Sequence, residues 1–212
     1  MSNLAELQDH DREALVLAIK QNVREAANLR LGSSLSGMKL EPVDAFEYHL
    51  DEDEDWLVKI VVNADGIKFK FKVYYSVDIA KTFLSQKKAL QNRAIAPSLC
   101  HDFIREFCNL TAGAIKIWLQ SNYSSSNEAG ELIVNLPDQK PAAIEPLEKM
   151  EKDIQNSQET LVDKWCYRLN DQSLICAVEV RITDWDKMQN LMSGKEEAGI
   201  DDQDDSGNIE FL

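Results

Sequence analysis

The stretch Ile67-Lys68-Phe69-Lys70-Phe71-Lys72-Val73-Tyr74-Tyr75 carries the clearest strand pattern in the chain. Ile67, Phe69, Phe71, Val73 and Tyr75 fall on one side of a period-two repeat, and Lys68, Lys70 and Lys72 on the other. That alternation predicts a strand of an antiparallel sheet, covered on one face and wet on the other. The lysine row reads as a solvated sheet face; a basic docking stripe is the less common use of such a row. Upstream, Asn63-Ala64-Asp65-Gly66 is a turn signal, with Gly66 suited to positive φ. Trp56–Val62 is then a partner strand.

Further out, Leu4, Leu7, Leu15, Ile19, Val23 and Ala26 recur at helical spacing, predicting a helix over 4–30. Gly32, Ser33, Ser34, Ser36 and Gly37 break it. A strand follows over 43–50, then an acidic turn, Asp51–Asp55. After the lysine strand come a short helix over 77–90 and a strong helix over 98–120, which Pro97 introduces. The polar loop Ser121–Gly130 leads to a strand, Glu131–Leu136, that stops at Pro137. Residues 145–160 are highly charged, with Leu147, Met150, Ile154 and Leu161 at loose helical spacing.

Residues 163–182 read as a hairpin. A two-residue turn at Asn170-Asp171 pairs Leu169 with Gln172 and Tyr167 with Leu174, which keeps the apolar residues together on one face. Cys166 and Cys176 then point to opposite faces and form no disulfide. The order helix, strands, helices, strands predicts an α+β domain, an antiparallel sheet with helices packed on one face. Residues 1–194 form that single domain, with 141–160 as an insertion. Residues 195–212 are an acidic, largely disordered tail.

The 212 residues hold 23 basic and 37 acidic side chains, a formal net charge of −14. Such a surface repels phosphate backbones and anionic membranes, so neither nucleic acid nor membrane is an expected partner. No apolar run approaches the ~20 residues that span a bilayer. The start lacks a signal-peptide pattern, and the chain is expected to be cytoplasmic. Cys100, Cys108, Cys166 and Cys176 show no zinc spacing and are expected to be buried thiols. His10, His49 and His101 are scattered. Cys100 and His101 are no catalytic pair, because adjacent helix residues diverge by about 100°.

The helix over 98–120 holds the candidate site residues. Leu99, Phe103, Phe107, Leu110, Ala114 and Ile117 form a wide apolar face, extended by Ile104, Cys108, Thr111, Ile115 and Trp118. What remains is a polar stripe: Asp102, Glu106, Asn109, Gly113 and Lys116. A glycine inside a helix costs roughly 1 kcal/mol relative to alanine. It is better tolerated where a partner approaches the backbone. The plainer account makes Glu106 and Asn109 ordinary exposed residues and Gly113 a packing contact, and spacing alone favours it.

The run Asp102-Phe103-Ile104-Arg105-Glu106-Phe107-Cys108-Asn109-Leu110-Thr111-Ala112-Gly113 resembles the active-site helix of the CheX/CheC family of chemotaxis phosphatases. The shared pattern is Asp or Ser, three residues, Glu, two residues, Asn, then small residues and Gly, with a Pro further on. Val73–Phe83 and Leu132–Pro137 resemble the flanking strand and helix and the strand that follows. A single Glu/Asn motif is the CheX-type arrangement. The stretch from Asn109 to Pro137 is longer than the family's, because Ser121–Gly130 looks inserted.

The resemblance implies a bacterial signalling protein that hydrolyses the aspartyl phosphate of a CheY-like response regulator. It implies that Asn109 holds the attacking water and that Glu106 pairs with the regulator's lysine. Asp102 and Gly113 would be supporting positions. Glu106 as a general base is the competing role, ranked lower because it leaves the Asn unexplained. No cofactor or metal of the chain's own is implied, since the Mg²⁺ belongs to the regulator. Some members pair through a continuous sheet, so a homodimer is expected. The alternatives are a catalytically inactive docking module in chemotaxis or two-component signalling, and an unrelated α+β protein.

Overall fold

The computed structural model describes residues 3–33, 40–44, 54–87, 90, 94–123, 132–147, 160–169 and 172–185, with side chains from residue 12 in the first helix and up to 121 in the longest of the others. The elements are α1 (Asn3–Ser33), β1 (Val43–Asp44), β2 (Trp56–Ala64), β3 (Ile67–Tyr75), α2 (Val77–Ser85), α3 (Pro97–Tyr123), β4 (Ile133–Val134), β5 (Asp138–Pro141), a 3-10 turn (Ala142–Ile144), β6 (Thr160–Leu169) and β7 (Gln172–Ile182). The sheet runs β1-β6-β7-β3-β2-β4, with β5 also pairing β2, and every pairing is antiparallel. This is the expected α+β architecture.

The lysine strand sits at the centre, between β2 and β7. The turn before it is tight: Ala64 faces Ile67, and Gly66 has φ 81°. That positive φ suits the right-handed twist of a two-residue hairpin. The front face carries Val58, Ile60, Val62, Phe69, Phe71, Val73, Trp165, Cys176, Val178 and Val180. On it pack Ile19, Val23 and Ala27 of α1, Ile79 and Phe83 of α2, and the inner side of α3. Ser76 caps α2 by accepting from Ile79 N at 3.2 Å. Arg24 of α1 clamps Asp163 of β6 through Nε at 2.6 Å and Nη2 at 2.8 Å.

The back face corrects the sequence reading. It is not simply wet: Leu57, Tyr74, Cys166, Ile175 and Ala177 form a second apolar cluster with Ala142 and Leu147. Lys72 is only 1% exposed. After Pro137 the chain resumes as β5, a strand the sequence did not predict, and then turns over the back of the sheet. Glu145 arrives there as an anchor. Its carboxylate accepts from Lys59 at 3.0 Å and Lys140 at 2.5 Å, and its Oε1 lies 2.8 Å from Lys72. Glu179 pairs with Lys72 and, at 2.7 Å, with Lys70. A buried ammonium is tolerable only with such partners. Alternation had shown which lysines share a face, but not that a later segment would cover it.

Smaller differences follow the same logic. The short helix stops at Ser85, and of the strand expected over 131–136 the described residues form β4 at Ile133–Val134, with Asn135 N also donating to Val61 O at 2.9 Å. Of the strand expected over 43–50, β1 is the described part; 45–50 lie outside the described residues, as do 148–159 of the insertion and the tail 195–212. The hairpin register is as predicted, with Leu169 opposite Gln172 and Tyr167 opposite Leu174. Cys166 lies in the back cluster and Cys176 in the front core, and all four cysteines are free.

Candidate functional site

The site is the outer side of α3. Cys100, Ile104, Cys108, Thr111, Ile115 and Leu119 are buried at intervals of three and four, with Phe103 and Phe107 beside them. Phe107 meets Phe71 edge-on, ring centroids 5.9 Å apart. This seam is turned relative to the expected one. Leu110 and Ala114 lie at its margin, and Ile117 is 60% exposed. The cause is competition between two overlapping apolar arcs. The small side chains Cys108, Thr111 and Ala112 are fully buried on the arc that is taken. Thr111 fits there by returning its hydroxyl to Phe107 O at 2.9 Å.

The start of α3 is pinned to the sheet through His101. Its Nδ1 lies 2.8 Å from Tyr75 Oη, and its ring packs edge-on against Trp56 at 4.8 Å. Burial, then the neighbouring Arg105 charge, push its pKa below the ordinary histidine value. The phenol partner and the Trp56 contact fix the ring against the sheet.

The stripe then faces solvent. Asp102 and Asn109 are exposed, Glu106, Gly113 and Lys116 half-exposed. The structure brings all five onto one arc. A Cβ placed on Gly113 would meet nothing within 4 Å, so Gly113 is no packing contact among the described residues. Two residues of this arc were missed. Arg105, ion-paired to Asp102, occupies one flank, and Ile117 continues the stripe one turn beyond Gly113. Arg105 falls between the spacings counted for the polar stripe. Ile117 was assigned to the core because it is apolar.

Such an outward helix face offers a carboxamide, a carboxylate and a guanidinium, and among the described residues no enclosure for a small molecule. A cleft of about 510 Å³ does exist, lined by Arg12, Val16, Leu17, Leu161 and Trp185, but it shares no residue with the stripe. No group of three or more His, Cys, Asp or Glu able to hold a metal occurs among the described residues, and none of their helices is long and apolar enough to cross a membrane.

No family model and no curated protein matches the chain by sequence. Solved structures do match. The chemotaxis protein CheX from Vibrio vulnificus superposes with a TM-score of 0.53 at 9% identity, over 77% of this chain and 96% of that chain. A CheC-like superfamily protein from Shewanella sp. PV-4 gives 0.53 at 12% identity, over 77% and 97%. FliY from Thermotoga maritima gives 0.50 at 10% identity, over 88% and 98%. The chain is therefore built on the fold of the CheX/CheC-like chemotaxis proteins.

Proposed function

We propose that the chain hydrolyses the aspartyl phosphate of a CheY-like response regulator, with Asn109 positioning the attacking water. The observation that carries this reading is the placement of Asn109. It stands exposed on a helix whose opposite side is locked into the core, with Glu106 one turn away on the same arc. An acyl phosphate is already activated, so catalysis needs mainly a water held in line with the leaving oxygen. The carboxamide oxygen of Asn109 accepts from that water. The water oxygen forms the new bond to phosphorus, the acyl O–P bond breaks, and its electron pair stays on the aspartate. The proton released leaves to solvent. Mg²⁺ is part of the phospho-regulator substrate. Glu106 pairs with a cation on the regulator and sets the dock.

The test is phosphate loss from a Mg²⁺-loaded phospho-regulator that binds the protein. Asn109→Ala is expected to abolish most acceleration, on the order of 2–4 kcal/mol in the barrier, with binding and fold kept. Asn109→Gln, which moves the amide by about one bond length, is expected to lose ~100-fold. Equal rates for wild type and Asn109→Ala, both at the regulator's spontaneous rate, would leave the chain a docking module without hydrolytic activity.

A further inference from the structure

The stripe on α3 is polarised across its width. At about 100° per residue, Arg105 lies about 40° to one side of Asn109 and Glu106 about 60° to the other. Both are one turn away, within the ~5–6 Å that separates such neighbours on a helix. The carboxamide thus stands between a cation and an anion. Glu106 has a role in the reading above; Arg105 has none. It is neither buried nor a packing residue, with a side chain 47% exposed. One nitrogen, Nη2, meets Asp102 Oδ1 one turn back. The Nε and Nη1 hydrogens and the second Nη2 hydrogen have no partner among the described residues, so Nη1 and Nη2 can still present two parallel donors.

The charge of the whole chain makes this guanidinium matter. At −14 net, the protein repels an anionic phosphoryl group, and the nearest groups to Asn109 on its other side add a carboxylate. A planar guanidinium is the side chain best matched to phosphoryl oxygens, since its fork can give two parallel hydrogen bonds. In phosphoryl transfer the charge spreads over the equatorial oxygens, and a positioned arginine stabilises it.

We propose that Arg105 is a further catalytic residue: docked on the phospho-regulator, its free fork contacts the phosphoryl oxygens beside the water held by Asn109. Asp102 is its positioning residue, holding the guanidinium along the helix axis through Nη2. This rests on the hydrolase reading, and adds a contact that acts on the phosphoryl group rather than on the water. The bonds made and broken are those already given; Arg105 transfers no proton.

The experiment measures single-turnover hydrolysis of a Mg²⁺-loaded phospho-regulator by wild type, Arg105→Ala, Arg105→Lys, Asp102→Ala, Arg105→Ala/Asp102→Ala and Asn109→Ala. Binding to the beryllofluoride-loaded regulator is measured alongside. Arg105→Ala is expected to lose roughly 100-fold in the chemical step. Arg105→Lys keeps the charge without the fork and is expected to recover part of that loss. Asp102→Ala should lose less than Arg105→Ala, and the double variant no more than Arg105→Ala alone, because the two act as one unit. Thermal melting checks that each variant folds, which its exposure favours. If Asn109→Ala loses activity while Arg105→Ala keeps the wild-type rate, or loses only affinity, Arg105 is not catalytic and the hydrolase reading stands. If wild type binds the beryllofluoride-loaded regulator yet does not accelerate hydrolysis of the phospho-regulator, both readings fall.

Discussion

Gly113 shows what a single position can carry. It lies inside α3, on the same arc as Asn109, and a Cβ there meets nothing within 4 Å among the described residues. Helix propensity therefore acts without steric opposition. Gly113→Ala is expected to stabilise the isolated protein by about 0.5–1 kcal/mol, read as a higher urea midpoint. If the open backbone serves a docked partner, the same substitution should weaken regulator binding. Stabilisation with unchanged binding would return Gly113 to an ordinary exposed position. Asn109, Glu106, Asp102 and Gly113 were legible as one stripe because a helix maps intervals of three and four onto one face. Arg105 and Ile117 were not. Residue type does not say which of two overlapping apolar arcs the sheet will take, and only the docked helix shows that Ile117 faces water.

Among the elements, the segment after Pro137 is the least expected. β5 pairs the outer edge of β2, where proline at its end costs no ladder bond, and the chain then folds over the back of the sheet. Glu145 joins three ammonium groups there, while Tyr74 donates to its carbonyl at 3.0 Å. Burial alone would raise its pKa, but the bonds from Lys140, Lys72 and Lys59 outweigh it and hold the carboxyl well below the usual range. Because the folded pKa is depressed, the stability from Glu145 is complete above about pH 5 and is lost as pH falls. Glu145→Gln is expected to cost about 1.5–3 kcal/mol at neutral pH. The gap from wild type should shrink at pH 3. Denaturant melts at both pH values decide it: an equal gap would mean that ionisation is not what holds the segment. The hairpin, by contrast, was legible to the residue, because a one-residue slip would turn its whole apolar set to the wrong face.

Over the whole molecule, one sheet separates two apolar clusters, and the four cysteines are divided between them. Cys100, Cys108 and Cys176 lie in the front core and Cys166 at the back. Burial pushes the thiols of Cys108 and Cys176 well above their ordinary values. At pH 8 the native protein should react only slowly with a thiol reagent, and the unfolded chain should give all four equivalents at once. Rapid reaction of two or more native thiols would show that one of the two clusters opens readily. The amino-acid sequence by itself determined the α+β class, the central strand, the hairpin register and the Glu106/Asn109 spacing. Each of these is a local periodicity that a strand or helix turns directly into a face. The tertiary structure alone decided the covering of the lysine face, the rotation of α3 that exposes Ile117, and the open space around Gly113 among the described residues. These depend on contacts between segments far apart in sequence. No local pattern contains them, because the free energy of burying a face is set by what arrives to cover it.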